Sequence, residues 1–115
     1  MTVQRVVPDL ATPTMDASRR FYADVLGLVP VMDLGWIVTL AGDERGAQVS
    51  LMTHDATAPV VPTMSIEVDD VDAAYAAAVG TGAEIVHPLT DEPWGVRRFF
   101  VRDPARHVVN VLAHR

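Results

Sequence analysis

An α+β fold of two tandem βαβββ modules is predicted by three observations. The stretches WIVTLAGDERGAQVSLM (36–52) and VRRFFVRDPARHVVNVL (96–112) both run apolar, reach an aspartate, turn, and resume apolar alternation. Each is preceded, in the same order, by an alternating segment, a run with helical spacing and a further apolar segment. A proline-broken linker, THDATAPVVP, separates the two sets. The expected product is one domain over residues 1–115, with modules at 3–55 and 63–115 and a linker at 55–62. Its strands should form a curved, cupped mixed sheet with the helices outside, because two curved sheets meeting edge to edge enclose a cleft.

The elements follow in order. VQRVVPDLA (3–11) alternates as a strand, with Pro8 suited to an edge or bulge. Asp16 is placed to cap a helix through ASRRFYADVL, with Ala17, Phe21 and Val25 on one face and Gly27 as its stop. LVPVMD and WIVTLA are strands around Leu34 and Gly35; GDERG is a turn; AQVSLMT is the fourth strand. TMSIEVD opens the second module. Asp70 caps a helix whose stripe is Val71, Ala74, Tyr75, Ala78 and Val79, ended by Gly80 and Gly82. EIVHPL, GVRRFFVR and HVVNVLA complete it. Asp69, Asp70 and Asp72 are accounted for by the start of this helix.

Strand alternation assigns faces. Met64, Ile66 and Val68, Val49 and Leu51, Val109 and Val111, and Val6 and Leu10 are expected against the helices. The opposite face then carries Val7, Asp9, Ala11, Gln48, Ser50, Met52, Thr63, Ser65, Glu67, Val108, Asn110 and Leu112. That mixture of apolar and polar groups suits the wall of a half-polar cavity. Trp36 and Trp94 each stand beside a glycine at a strand start, a position from which a ring can line a rim. Phe99 and Phe100 point opposite ways, as do Arg97 and Arg98; the alternation alone does not say which enters the cavity.

Composition bounds the function. A formal charge of −6 offers no basic stripe for nucleic acid and favours cationic ligands. The absence of cysteine removes disulfides, thiolate catalysis and sulfur-ligated metals, and fits a cytoplasmic protein. No signal peptide and no membrane-length apolar run are read from the chain.

The phrases SRRFYADVLGL, IEVDDVDAAYAAAVGTGAEIV and EPWGVRRFFVRDP, with the paired βαβββ order, resemble the vicinal oxygen chelate superfamily. That group contains glyoxalase I, extradiol dioxygenases and bleomycin-resistance proteins. The resemblance covers essentially the whole chain and implies a cupped, ligand-holding cavity and commonly a homodimer. It also implies where metal-dependent members keep four ligands, mostly His and Glu: here those positions hold Val7, Ser50, Thr63 and Asn110. None is a good ligand for a divalent ion, so no metal and no cofactor is expected. A second departure is the turn DPARH, where similar proteins carry Gly at the position of Arg106.

Of the histidines, His107 and His114 should face opposite ways and His87 should lie in a loop before Pro88. His54 shares parity with Ser50 and Met52 and could reach the cavity mouth. The expected function is metal-independent binding of a flat or amphipathic small molecule, cationic ones included, of the bleomycin-resistance (antibiotic-sequestering) type. Its ligand-binding residues would be Val7, Trp36, Ser50, Met52, His54, Thr63, Ser65, Trp94 and Asn110. The alternative is a metal-independent lyase or isomerase with Asp9 or Glu67 as general base; a metal-dependent glyoxalase or dioxygenase ranks last.

Overall fold

The computed structural model describes residues 1–43 and 46–115, so Glu44 and Arg45 of the expected GDERG turn lie outside the described residues. Among the described residues the order is β1 (Val3–Ala11), α1 (Met15–Leu26), β2 (Val29–Asp33), β3 (Ile37–Ala41), β4 (Gln48–Met52), β5 (Met64–Val68), α2 (Val71–Gly80), β6 (Ile85–Asp91), β7 (Val96–Arg102) and β8 (Val108–His114). The predicted βαβββ order thus occurs twice. The chain divides into two compact units: an N-terminal unit, Val7–Val61, and a C-terminal unit, Pro62–Arg115 together with Met1–Val6.

In the N-terminal unit the strand order is β2-β3-β4-β1. β1 runs parallel to β4, and the other pairs are antiparallel. Val38, Leu40, Val49 and Leu51 form the core under α1, with Met15, Tyr22 and Leu28 packed on them. Gly27, at φ 70°, ends α1 and returns its N–H to Ala23 at 2.9 Å, a left-handed cap that only glycine adopts without strain.

Three expectations fail here. Thr14, not Asp16, occupies the N-cap position, and Asp16 lies in the first turn, where its charge still meets the helix dipole. The Ala17–Phe21–Val25 face looks outward, with Phe21 54% and Val25 61% exposed, because α1 rests on the sheet through Met15 and Tyr22 instead. Val6 and Leu10 are exposed, not core. Leu10 does sit opposite Leu51, but the residues that α1 covers belong to β3 and β4.

The C-terminal unit has the order β5-β8-β7-β6, again with its first and last strands parallel. Asp70 caps α2 as expected, its Oδ1 accepting the Ala73 N–H at 3.0 Å. Val68, Val71, Ala74 and Phe99 make the core, and Tyr75 meets the Phe99 ring edge-on at 5.0 Å. Burying a ring of this kind is worth about 1.5–3 kcal/mol. The Thr2 N–H donates to Asp69 Oδ1, which secures the start of β1 to this unit.

The two matched hairpins differ by one residue. Residues 42–47 join β3 to β4, but only 103–107 join β7 to β8. Val49 and Leu51 therefore correspond to Val109 and Val111, while the ungapped overlay fails in the preceding strand. Val38 and Leu40 face α1, whereas Phe99 faces α2 and the aligned Phe100 does not. Past the turn the match is close. Gly46 has φ 82° and Arg106 φ 78°, and their N–H groups return to the carbonyls of Asp43 and Asp103. The turn demands a left-handed residue, and the second copy meets that demand with arginine, at a cost of roughly 1–2 kcal/mol. Arg106→Gly is expected to raise stability by about 0.5–1 kcal/mol after the added chain entropy of glycine, read from urea unfolding; Arg106→Ala should give no gain.

Among the described residues, four carboxylates at the surface, of Asp33, Asp69, Glu84 and Asp103, titrate below their usual range. The Gly35 N–H does this at Asp33, the Thr2 N–H at Asp69, the Arg102 guanidinium at Glu84 and the His107 N–H at Asp103. A lowered folded value means stabilisation that is complete above about pH 4.5 and lost as pH falls through the folded values. The urea midpoint should drop between about pH 5 and about pH 3, and less steeply in Asp69→Asn.

Candidate functional site

The face of each sheet that turns from its helix carries polar side chains that are buried. In the N-terminal unit Asp9 pairs across β1–β4 with Ser50, and Ser50 across β4–β3 with Thr39. The three form a polar row, only 4–7% exposed, in which the Thr39 and Ser50 hydroxyls lie 2.8 Å apart. Buried Val7 and Met52 share this face. Trp36 is half-buried beside Gly35, whose φ of 84° turns the chain into β3. His54 is exposed, its ring 6.2 Å from that of Trp36.

In the C-terminal unit the hairpin register settles what alternation left open. Phe100 pairs with Asn110 and Arg98 with Leu112, so Arg98 and Phe100 stand on the helix-free face. Phe99 joins the core, and Arg97 reaches Asp72 and Asp91 at the surface. Arg98 is the centre of this face. Its Nε and Nη2 both lie 2.7 Å from Glu92 Oε2, with both side chains at least 96% buried. Its guanidinium lies 4.9 Å from the Trp94 ring centre and 4.8 Å from that of Phe100. His87 completes the group, 3.7 Å from Glu92 Oε2 and 5.3 Å from the Phe100 ring. It is buried within β6, not in a loop; β6 is the outer strand of its unit, where Pro88 removes no needed ladder bond.

Beside this group Asn110 donates from Nδ2 to Ser65 Oγ at 3.0 Å, and its Oδ1 is buried with no hydrogen-bond partner. Thr63 is exposed ahead of β5, its N–H bound to the Val108 carbonyl. Glu67 lies between Arg5, at 3.6 Å, and the His114 imidazole. His114 and His107 are exposed, and His107 caps the turn with Asp103.

Sequence reasoning left Arg98 open against Arg97, placed His87 in a loop, and missed Glu92 and Thr39. A signal existed. An arginine inside an apolar strand needs a carboxylate within reach, and Glu92, across the hairpin turn, was available. Two open hollows, of about 260 and 610 Å³, flank the ends of α2 in the same unit. Neither contains a candidate residue, and their arginines Arg97 and Arg102 are paired with Asp72 and Glu84.

The side chains at the four metal positions do not fit a divalent cation. Val7 has no donor, the Ser50 hydroxyl is shared with Thr39, and Thr63 and Asn110 bring only a neutral hydroxyl and a neutral amide, weak ligands without a carboxylate or imidazole beside them. Among the described residues no group of three or more His, Cys, Asp or Glu could hold a metal ion. Nor is any helix among them long and apolar enough to cross a membrane.

The family model of the Glyoxalase/Bleomycin resistance protein/Dioxygenase superfamily matches residues 2–111. A comparison with the curated proteins finds no match. Among solved structures, a superfamily member from Vibrio splendidus 12B01 is similar at TM-score 0.74 and 22% identity, covering 97% of this chain and 99% of its own. An NAD-dependent benzaldehyde dehydrogenase from Legionella pneumophila gives 0.76 and 17%, covering 96% and 100%. Methylmalonyl-CoA epimerase from Mycobacterium tuberculosis gives 0.70 and 20%, covering 98% and 87%. At these identities the likeness is one of fold.

Removing one partner of a buried pair strands the other charge. Glu92→Gln or Arg98→Met alone should cost about 3 kcal/mol or more, and the double variant well under the sum, measured as a double-mutant cycle in urea.

Proposed function

The chain belongs to the Glyoxalase/Bleomycin resistance protein/Dioxygenase superfamily, and from that membership we infer a metal-independent protein that binds a flat or amphipathic small molecule on the helix-free faces of its sheets. The observation that carries this reading is the burial of Asp9, Thr39, Ser50, Arg98 and Asn110 on those faces. A merely solvated second face would leave such groups wet, and a merely structural one would be apolar. Fixed polar groups beside apolar ones, Val7, Met52 and Trp36 in one unit and Leu112 and Trp94 in the other, are what an orienting surface for a small ligand requires. The charge of −6 favours cationic ligands, and sequestration of a drug is the sharpest form of the reading.

A second reading is favoured by one residue. Asp9 is a carboxylate 6% exposed, opposite a serine, and could abstract a proton in a lyase or isomerase. Glu67 is held between Arg5 and His114. Titration with aromatic cationic drugs should quench tryptophan fluorescence and leave the drug chemically unchanged, with Trp94→Ala weakening binding several-fold. A drug that is converted, by a turnover that Asp9→Asn abolishes while binding survives, would favour the enzyme. No quenching by any member of the series would count against both.

A homodimer is proposed as well. Phe21, Val25, Leu26, Val29 and Val31, each more than half exposed, supply an apolar surface of the kind that marks association. Sedimentation should give a dimer that Phe21→Glu converts to monomer with its helical content intact.

A further inference from the structure

We propose that Asn110 reads a hydrogen-bond donor on the ligand, so that the ligands of this site are planar molecules bearing an N–H or O–H group, such as amides, amidines or protonated amines, and not carboxylates. The inference rests on the small-molecule reading above and specifies its chemistry.

The argument starts from the neighbours of one atom. Asn110 is 8% exposed, and its Oδ1 is buried with no partner. On its own strand the same face carries Val108 and Leu112, and across β7 the opposed residue is Phe100; none has a side-chain donor. Across β5 the opposed residue is Ser65, and its hydroxyl oxygen accepts the Asn110 amide N–H. The side chain is therefore anchored by its nitrogen, and its carbonyl has no hydrogen-bond partner among the groups opposed to it. A buried acceptor left in that state costs about 1–3 kcal/mol, and valine or leucine there would avoid the cost. An incoming donor recovers it, whereas an incoming carboxylate adds acceptors to an acceptor. Loss of recognition is steep when a buried polar group is left unmatched, which makes this position a specificity determinant.

Four probes on one ring system test the claim: naphthalene-2-carboxamidine, 2-naphthamide, 2-naphthoate and 2-methylnaphthalene. Binding is followed by calorimetry and by the side-chain amide resonance of Asn110 in ¹⁵N-labelled protein. The amidine and the amide should bind at least about tenfold more tightly than the naphthoate and shift that resonance. Asn110→Leu should remove that advantage. Asn110→Asp, which keeps the acceptor and the shape, should retain the preference for the amidine; it also keeps the test alive if the leucine variant does not fold. Naphthoate binding as tightly as the amide, or amide binding untouched in Asn110→Leu, would overturn the proposal while the small-molecule reading stands. Failure of all four probes, 2-methylnaphthalene included, would sink both.

Discussion

The helix-free face of the C-terminal unit is organised by the ion pair between Arg98 and Glu92. Taking two charges out of water costs several kcal/mol each, and their attraction offsets that only when geometry is tight and the remaining surfaces are covered. Here both conditions hold: two guanidinium nitrogens converge on one carboxylate oxygen, and the rings of Trp94 and Phe100 lie against the cation. The pair fixes the hairpin turn, because Glu92 belongs to the turn and Arg98 to β7. It thereby fixes Trp94, which lies between them in sequence. It also sets which of the two adjacent phenylalanines may enter the core.

With Phe100 assigned to the ion pair, Phe99 is left to pack on Tyr75. β8 follows from the same register, which puts Asn110 beside Ser65 and Val111 under α2. In the N-terminal unit the helix-free face carries a row of small polar groups, Asp9, Ser50 and Thr39, in which the Thr39 and Ser50 hydroxyls are hydrogen-bonded.

Much of this was legible in the residues. The βαβββ order, the Asp70 cap and the Gly27 stop follow from local chemistry that the sequence displays directly, while Arg106 stood out only against the glycine that similar proteins carry. So do the sides taken by Val49, Leu51, Ile66, Val68 and Val111, since strand alternation is strict. What local chemistry could not show was the fit of larger pieces. The rotation of α1 onto Met15 and Tyr22, not Ala17 and Phe21, is decided by the surface it meets, and both stripes are apolar. Burial of His87 depends on the β6 register, which is broken by two irregularities. The Arg98–Glu92 pair was hidden because alternation does not choose between Arg97 and Arg98 without the hairpin register.

The hairpin linkers, six residues in one copy and five in the other, have a consequence for any attempt to recombine the halves. The extra position is absorbed by the turn, and the two ladders keep one phase: Leu40 pairs with Val49 as Val101 pairs with Val109, each on the helix side. Laid end on end, Val101 takes the place of Leu40 and Phe99 that of Val38, so a strand exchanged at its own boundaries presents apolar groups inward with either linker. An overlay by residue number hides this equivalence, and an overlay by strand end restores it. Turn length is thus a silent variable here, and the copies can differ in it with their inner faces intact.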